Sequence, residues 1–219
     1  MTLFVTATGT EIGKTWVSCA ILRALRGQGT PPRALKPVMS GFDPADLAAS
    51  DAGALLAALG AEISADSVAA IAPWRFAAPL SPDAAAAREG RSVDVEALIA
   101  FCRVAMTEPG PLLIEGVGGA MVPLDTASTV RDWISALGIP ALLVTGAYLG
   151  TISHTLCAVE ALRARHVPIA AIAVNAMAPP PMPVAETIAT IARHLADATI
   201  PVVDAAAADW PALVPLRPG

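Results

Sequence analysis

The sharpest constraint on this chain lies at its start. A short apolar run, Leu3-Phe4-Val5, passes directly into Ala7-Thr8-Gly9-Thr10-Glu11-Ile12-Gly13-Lys14-Thr15, and an apolar segment follows with Trp16, Val17, Ala20, Ile21 and Leu22. Strand, glycine-bearing turn and helix in that order make a phosphate-binding loop. Gly9 and Gly13 permit backbone angles that a Cβ disfavours, so successive N–H groups can point into one concavity. The helix N-terminus favours an anion there by ~0.3–1 kcal/mol. Lys14 reaches outer phosphates, and the Thr15 hydroxyl is suited to Mg²⁺. The pattern G-x-x-x-x-G-K-[ST] asks for glycine at position 8, where this chain has Thr8 with Gly9 next to it, so the loop is a variant of that pattern.

The 219 residues suit one α/β domain, 1–219, with no composition shift that marks a linker. A net charge of −5, with 15% charged residues and no basic cluster, excludes the electrostatic footprint of a nucleic-acid binder. The longest apolar reach, 167–185, is interrupted by Asn175 and by Pro179-Pro180-Pro181, which argues against a membrane span. No basic leader precedes the first strand, so a cytoplasmic location is expected. Cys19, Cys102 and Cys157 are far apart among helical apolar residues and read as buried thiols. His154, His166 and His194 lack ligand spacing and read as surface or helix-end residues.

Apolar runs short enough for buried parallel strands alternate with stretches of helical period, the pattern of a doubly wound, mostly parallel sheet flanked by helices. Strands are expected near 2–7, 33–38, 111–115, 140–145, 168–174 and 199–203. Helices are expected near 14–26, 51–59, 82–89, 93–107, 129–137, 152–165 and 183–196, with Gly27, Gly60, Gly90 and Gly138 as stops. Ligands in such folds collect at the carboxyl ends of strands.

That rule selects a short set of residues. Lys36 follows the second run; a lysine at a strand end is more often a solvated charge, but this one would lie beside the phosphate loop. Ser50-Asp51 reads equally as a helix cap or as a source of a Mg²⁺ carboxylate. Glu115 ends a buried run and leads into Gly116-Val117-Gly118-Gly119, so Thr15, Asp51 and Glu115 form a sufficient oxygen set for a nucleotide's Mg²⁺. Gly146-Ala147-Tyr148-Leu149-Gly150-Thr151-Ile152-Ser153 turns into a helix start that suits an anion or is simply capped. Asn175 is a turn residue or a reader of the adenine edge.

Together these residues resemble the dethiobiotin synthetase family, within the P-loop NTPase superfamily. The resemblance runs through Phe4-Val5-Thr6 with Thr8 to Thr15, Lys36-Pro37-Val38 with Ser40-Gly41, Ser50-Asp51-Ala52, Phe76-Ala77-Ala78-Pro79 with Ser81-Pro82, Glu115 to Gly119, Asp132-Trp133, Leu149-Gly150 with His154, and Val174-Asn175. It implies a cyclo-ligase that joins 7,8-diaminononanoate, CO₂ and ATP, with Mg²⁺, into dethiobiotin, ADP and phosphate through a carbamate and a carbamic–phosphoric anhydride. Lys36, Lys14 and Thr10 would be catalytic. Glu11, Ile12, Gly13, Lys14, Thr15, Trp16, Glu115, Gly118, Asn175 and Ala176 would contact the nucleotide, and Thr15, Asp51 and Glu115 the metal. Ser40, Ser81 and Gly118 would contact the diamine. Gly150, Thr151, Ile152 and Ser153 of a second subunit in a homodimer would take its carboxylate. The chain departs from the family pattern at Ala7, Gly9, Ser153, Ala176, Thr187 and Ile200-Pro201.

Two other classes are weighed. A partner-activated P-loop switch ATPase would carry a lysine early in the loop, where this chain has Thr8 and Gly9, and Pro215-Leu216-Arg217-Pro218-Gly219 is too short and proline-rich for an amphipathic anchor. A nucleotide-binding module without turnover would be expected to lose Lys36 or an acid of the Mg²⁺ set, and neither is lost.

Overall fold

The computed structural model describes residues 2–29, 31–176 and 179–214; the Pro215–Gly219 tail weighed above lies outside them. Strands β1 (Thr2–Ala7), β2 (Arg33–Leu35), β5 (Leu112–Glu115), β6 (Ala141–Gly146), β7 (Ile169–Asn175) and β8 (Val202–Asp204) form one sheet in the order β2-β5-β1-β6-β7-β8. Every pairing in it is parallel. β3 (Val38–Ser40) and β4 (Trp74–Phe76) form a separate parallel pair.

Alternation along the strands sends successive side chains to opposite faces. Leu3, Val5, Leu113, Leu142, Val144, Ala171 and Ala173 pack on one face with Val17, Ile21, Leu22 and Leu25 of α1 (Lys14–Gly27), Leu55 and Ala58 of α2 (Asp51–Leu59), and Trp210 of α9 (Trp210–Leu213). Phe4, Leu112, Ile114, Leu143, Ile172 and Val174 pack on the other. There they meet α5 (Val95–Met106), α6 (Val130–Leu137), α7 (Thr151–Arg163) and α8 (Val184–Leu195). Each such Val, Leu, Ile or Phe side chain contributes about 1.5–3 kcal/mol when fully buried. Asp132-Trp133 is a structural pair: Asp132 caps α6, and the Trp133 ring stands edge-on to Phe4 at 4.7 Å between centroids.

The expected strand over 33–38 divides. Pro37 has no N–H for a ladder, and at Lys36 the chain leaves the main sheet, Lys36 N–H donating to Ile71 O and Trp74 N–H to Pro37 O. The strand expected over 199–203 forms three residues later in the chain at its start, as β8. Sequence reading also missed α3 (Ala65–Ile71), β4 and α9. These elements are short; α3 is marked by its Ser64–Ser67 capping box, and β4 by no periodicity at all. Gly60 and Gly138 end their helices with left-handed φ of 70° and 65°. At the end of α1 that role falls to Gly29, φ 77°, rather than Gly27.

Cys157 corrects an expectation: it is exposed on α7, whereas Cys19 and Cys102 are buried. Burial pushes the Cys19 thiol up to about 11 and that of Cys102 to about 12. Among the described residues no helix is long and apolar enough to cross a membrane.

Candidate active site

Three strand-to-loop exits are stitched together at the carboxyl edge of the sheet. Thr8 N–H donates to Val144 O, Gly116 N–H to Val5 O and Ala120 N–H to Ala7 O. The close approach favours glycine: a Cβ on Gly119 would lie 3.1 Å from the backbone of Gly9 and Thr8. The phosphate loop turns through left-handed φ at Glu11 (57°) and Gly13 (88°), the second being the N-cap of α1. Left-handed residues among right-handed ones turn their amides inward into an anion-binding nest.

Lys36 lies where the chain exits β2. Its Nζ donates to Glu115 Oε1 at 2.7 Å and to Gly116 O at 2.8 Å, and pairs with Asp51 Oδ2 at 2.9 Å. Lys36 is 2% exposed and Glu115 fully buried. Burial opposes the Lys36 charge, but Glu115 and then Asp51 outweigh it and raise its pKa above the ordinary lysine value. Asp51 is likewise resisted by burial, yet Lys36 and the Thr15 hydroxyl hold its carboxyl below the usual range. Thr15 Oγ1 lies 2.8 Å from both Asp51 Oδ1 and Glu115 Oε1. Ser50, not Asp51, caps α2, accepting from Gly53 N–H at 3.0 Å, which leaves the Asp51 carboxylate to face the site.

Thr15, Asp51 and Glu115 therefore converge, and the fit to Mg²⁺ can be tested on them. All are hard oxygen donors, and Glu115 Oε2 is buried with no hydrogen-bond partner. Among the described residues no group of three acids, histidines or cysteines gathers into a metal cage. Two carboxylates and a hydroxyl match an ion that keeps water and phosphate in most of its shell, so the residues fit.

A cavity of about 920 Å³ opens over this network. Thr10, Glu11, Gly13, Lys14, Thr15, Trp16, Lys36, Ser40, Asp51, Ser81 and Gly118 line it, joined by the apolar Met39, Leu80, Val117 and Val122 that sequence reading did not single out. Those four come from three segments, Val117 and Val122 sharing the loop after β5, so no periodicity marks them. Lys14 is lowered to about 8, by burial first and by the neighbouring Lys36 charge second, against the pull of Glu115 and Asp51. Ser40 Oγ is buried without a partner, and Ser81, at the start of α4 (Pro82–Arg88), spends no hydroxyl bond on capping it.

A second cavity, about 390 Å³, is lined by Glu11, Ile12, Gly146, Ala147, Tyr148, Leu149, Asn175, Pro179 and Pro181. Glu11 borders both cavities. Asn175 Nδ2 donates to Ile12 O at 3.0 Å. Ala176 is exposed beyond the end of β7.

Gly150, Thr151, Ile152 and Ser153 line neither cavity. Gly150, φ 97°, is the N-cap of α7. The Thr151 side chain points inward, donating to Gly146 O at 2.6 Å, and its N–H is taken by Tyr148 O. The first-turn amides of Ile152 and Ser153 have no acceptor within their own helix. Thr187 is buried in α8 and Ile200 packs against the core, so neither borders the cavities. His154, His166 and His194 are all exposed.

The family described as an AAA domain matches residues 1–206. An ATP-dependent dethiobiotin synthetase BioD of Acidiphilium cryptum (strain JF-5) is 56% identical over 209 residues, 94% of each chain. One of Methylobacterium nodulans is 51% identical over 200 residues, 88% of each. Among solved structures, a ParA family ATPase from Chlorobium tepidum TLS superposes with a TM-score of 0.54 at 12% identity, over 92% of this chain and 84% of the other. The MinC:MinD cell division complex of Aquifex aeolicus gives 0.53 at 13%, over 93% and 81%. These structural likenesses are likenesses of fold alone, whereas the sequence matches run nearly end to end, and on them the chain belongs to the dethiobiotin synthetase family.

Proposed function

We propose that this enzyme uses ATP to carboxylate and cyclise 7,8-diaminononanoate, giving dethiobiotin, ADP and phosphate. One observation carries the reading furthest: Lys14 and Lys36 border a single cavity that also holds the phosphate loop and an apolar wall of Met39, Leu80, Val117 and Val122. Ammonium groups suit anions; the apolar wall suits an aliphatic chain.

An amine nitrogen of the diamine adds to the carbon of CO₂ and loses a proton, giving a carbamate. A carbamate oxygen attacks the terminal phosphorus of ATP as the bond to ADP breaks. The second amine attacks the carbamoyl carbon of that anhydride, loses a proton and expels phosphate, closing the ring. Lys36 holds the carbamate charge and Lys14 the phosphate charge, so the protein acts by positioning and electrostatics. Removing one such donor costs about 2.7–4 kcal/mol in the transition state. Thr10 and the amides of the loop cradle the transferring phosphoryl group, and Ser40 and Ser81 orient the diamine. Thr15, Asp51 and Glu115 would hold Mg²⁺, which offsets charge on the phosphates when bound.

Asn175 supports adenine recognition. Because its Nδ2 faces the Ile12 carbonyl, its Oδ1 is left to accept from an exocyclic amine. For the diamine carboxylate, the N–H groups of Ile152 and Ser153 on a second subunit are the donors, which makes the working form a homodimer with Gly150 and Thr151 shaping the turn. Small soluble substrates, without nucleic acid or membrane, fit a cytoplasmic enzyme.

Purified protein incubated with the diamine, bicarbonate, ATP and Mg²⁺ is expected to form dethiobiotin, identified by mass spectrometry. Absence of that product, with ATP binding intact, would overturn the assignment.

A further inference from the structure

The smaller cavity contains an aromatic ring for which the reaction above has no use. Tyr148 is the only tyrosine in the chain, and it is held from two sides. Its hydroxyl shares a 2.9 Å hydrogen bond with His154 Nδ1, the two rings lying 5.7 Å apart between centroids. Its ring edge occupies the space a side chain at Gly146 would need: a Cβ there would stand 2.6 and 2.8 Å from Cδ1 and Cε1. The ring therefore has a seat against Gly146 and a hydrogen-bond partner without any ligand, which lowers the ordering that binding requires.

Its location says what it meets. Glu11 borders both cavities, so a ligand with its phosphates on the loop has its other end at the cavity of about 390 Å³, which Ile12, Tyr148 and Asn175 border. We propose that Tyr148 is the stacking wall of the nucleobase subsite, seated by Gly146 and held by His154. The inference rests on the nucleotide reading given above and adds a division of labour to it. Every base has a π face, so stacking supplies affinity that tolerates any base, whereas Asn175, with one acceptor free, discriminates among them.

Isothermal titration of the full chain with ADP, GDP and inorganic tripolyphosphate tests this. Tyr148→Ala is expected to weaken ADP and GDP by a similar factor, about 5- to 100-fold, while tripolyphosphate, which has no base, binds as to the wild type. Tyr148→Phe keeps the ring and should lose no more than a few-fold. Gly146→Ala, which drives the ring from its seat, should resemble Tyr148→Ala for both nucleotides. If Tyr148→Ala and Gly146→Ala bind ADP as tightly as the wild type, the proposal is wrong while the nucleotide reading stands. If the wild type binds neither ADP nor tripolyphosphate, the nucleotide reading falls and takes this inference with it.

Discussion

Lys36 Nζ and Glu115 Oε1 lie 2.7 Å apart in the protein interior, with Lys36 almost fully and Glu115 fully enclosed. Two buried charges in such contact are costly to separate by mutation, because the survivor is left without its counter-ion. Lys36→Met should therefore lower folding stability by about 3–5 kcal/mol as well as abolish ring closure. Chemical denaturation checks the first effect and product formation the second. A variant of unchanged stability would contradict the dependence of Glu115 burial on its Lys36 partner.

The same geometry predicts how Mg²⁺ dependence changes. Thr15 Oγ1 lies 2.8 Å from an oxygen of both Asp51 and Glu115 and can donate its one proton to either, so removing it leaves the two carboxylates without their shared hydroxyl. Thr15→Ala should raise the Mg²⁺ concentration for half-maximal activity by at least the roughly 10- to 100-fold that follows loss of a group orienting metal ligands, because Thr15 is itself assigned to the metal. Titration of activity with Mg²⁺ at saturating ATP measures it, and an unaltered midpoint removes Thr15 from the metal set.

Gly119 tests the packing that shapes the phosphate loop. Its Cβ would meet the Gly9 and Thr8 backbone at 3.1 Å, and backbone cannot swing away as a side chain can. Gly119→Ala is expected to cost about 1–3 kcal/mol of stability through overpacking and to weaken ATP binding by displacing Gly9. Thermal denaturation and ATP titration together check it; wild-type behaviour in both would show that the loop yields freely.

Asp132 provides a stability change with pH far from the chemistry. Burial works against its charge, but the Thr129 hydroxyl and N–H, then Arg131 and Arg165, outweigh it and lower its pKa below the ordinary 3.8. A carboxyl depressed by folding adds stability that is present above its unfolded pKa and is lost as pH falls through the folded one. Asp132→Asn, which keeps an acceptor oxygen but removes the charge from the first turn of α6, should thus cost about 0.3–1 kcal/mol at neutral pH. The gap should close in acid below the ordinary carboxylate range. Urea denaturation at neutral pH and in acid distinguishes this from a gap that persists at all pH.

The phosphate loop was legible because its conformation is a local matter of Gly13, Lys14 and the following helix. Lys36, Asp51 and Glu115 were found by a rule about strand ends, but that rule does not reveal that all three touch one another. The error over 33–38 came from reading apolar continuity through Pro37, whose missing N–H sends the chain into a second sheet. Cys157 sits in a helical apolar pattern but on the face turned to solvent. Tyr148 acquires its role from Gly146 and His154 only once the turn into α7 brings them together. The apolar wall of the larger cavity is assembled from one strand and two loops with no shared period.

The central claim is that the Lys36 ammonium and the loop together hold a carbamate against the terminal phosphoryl group. A crystal structure with the diamine and a non-hydrolysable ATP analogue tests it most directly. The account predicts the reacting amine within hydrogen-bond reach of Lys36 and facing the terminal phosphate; an amine bound remote from both would contradict it.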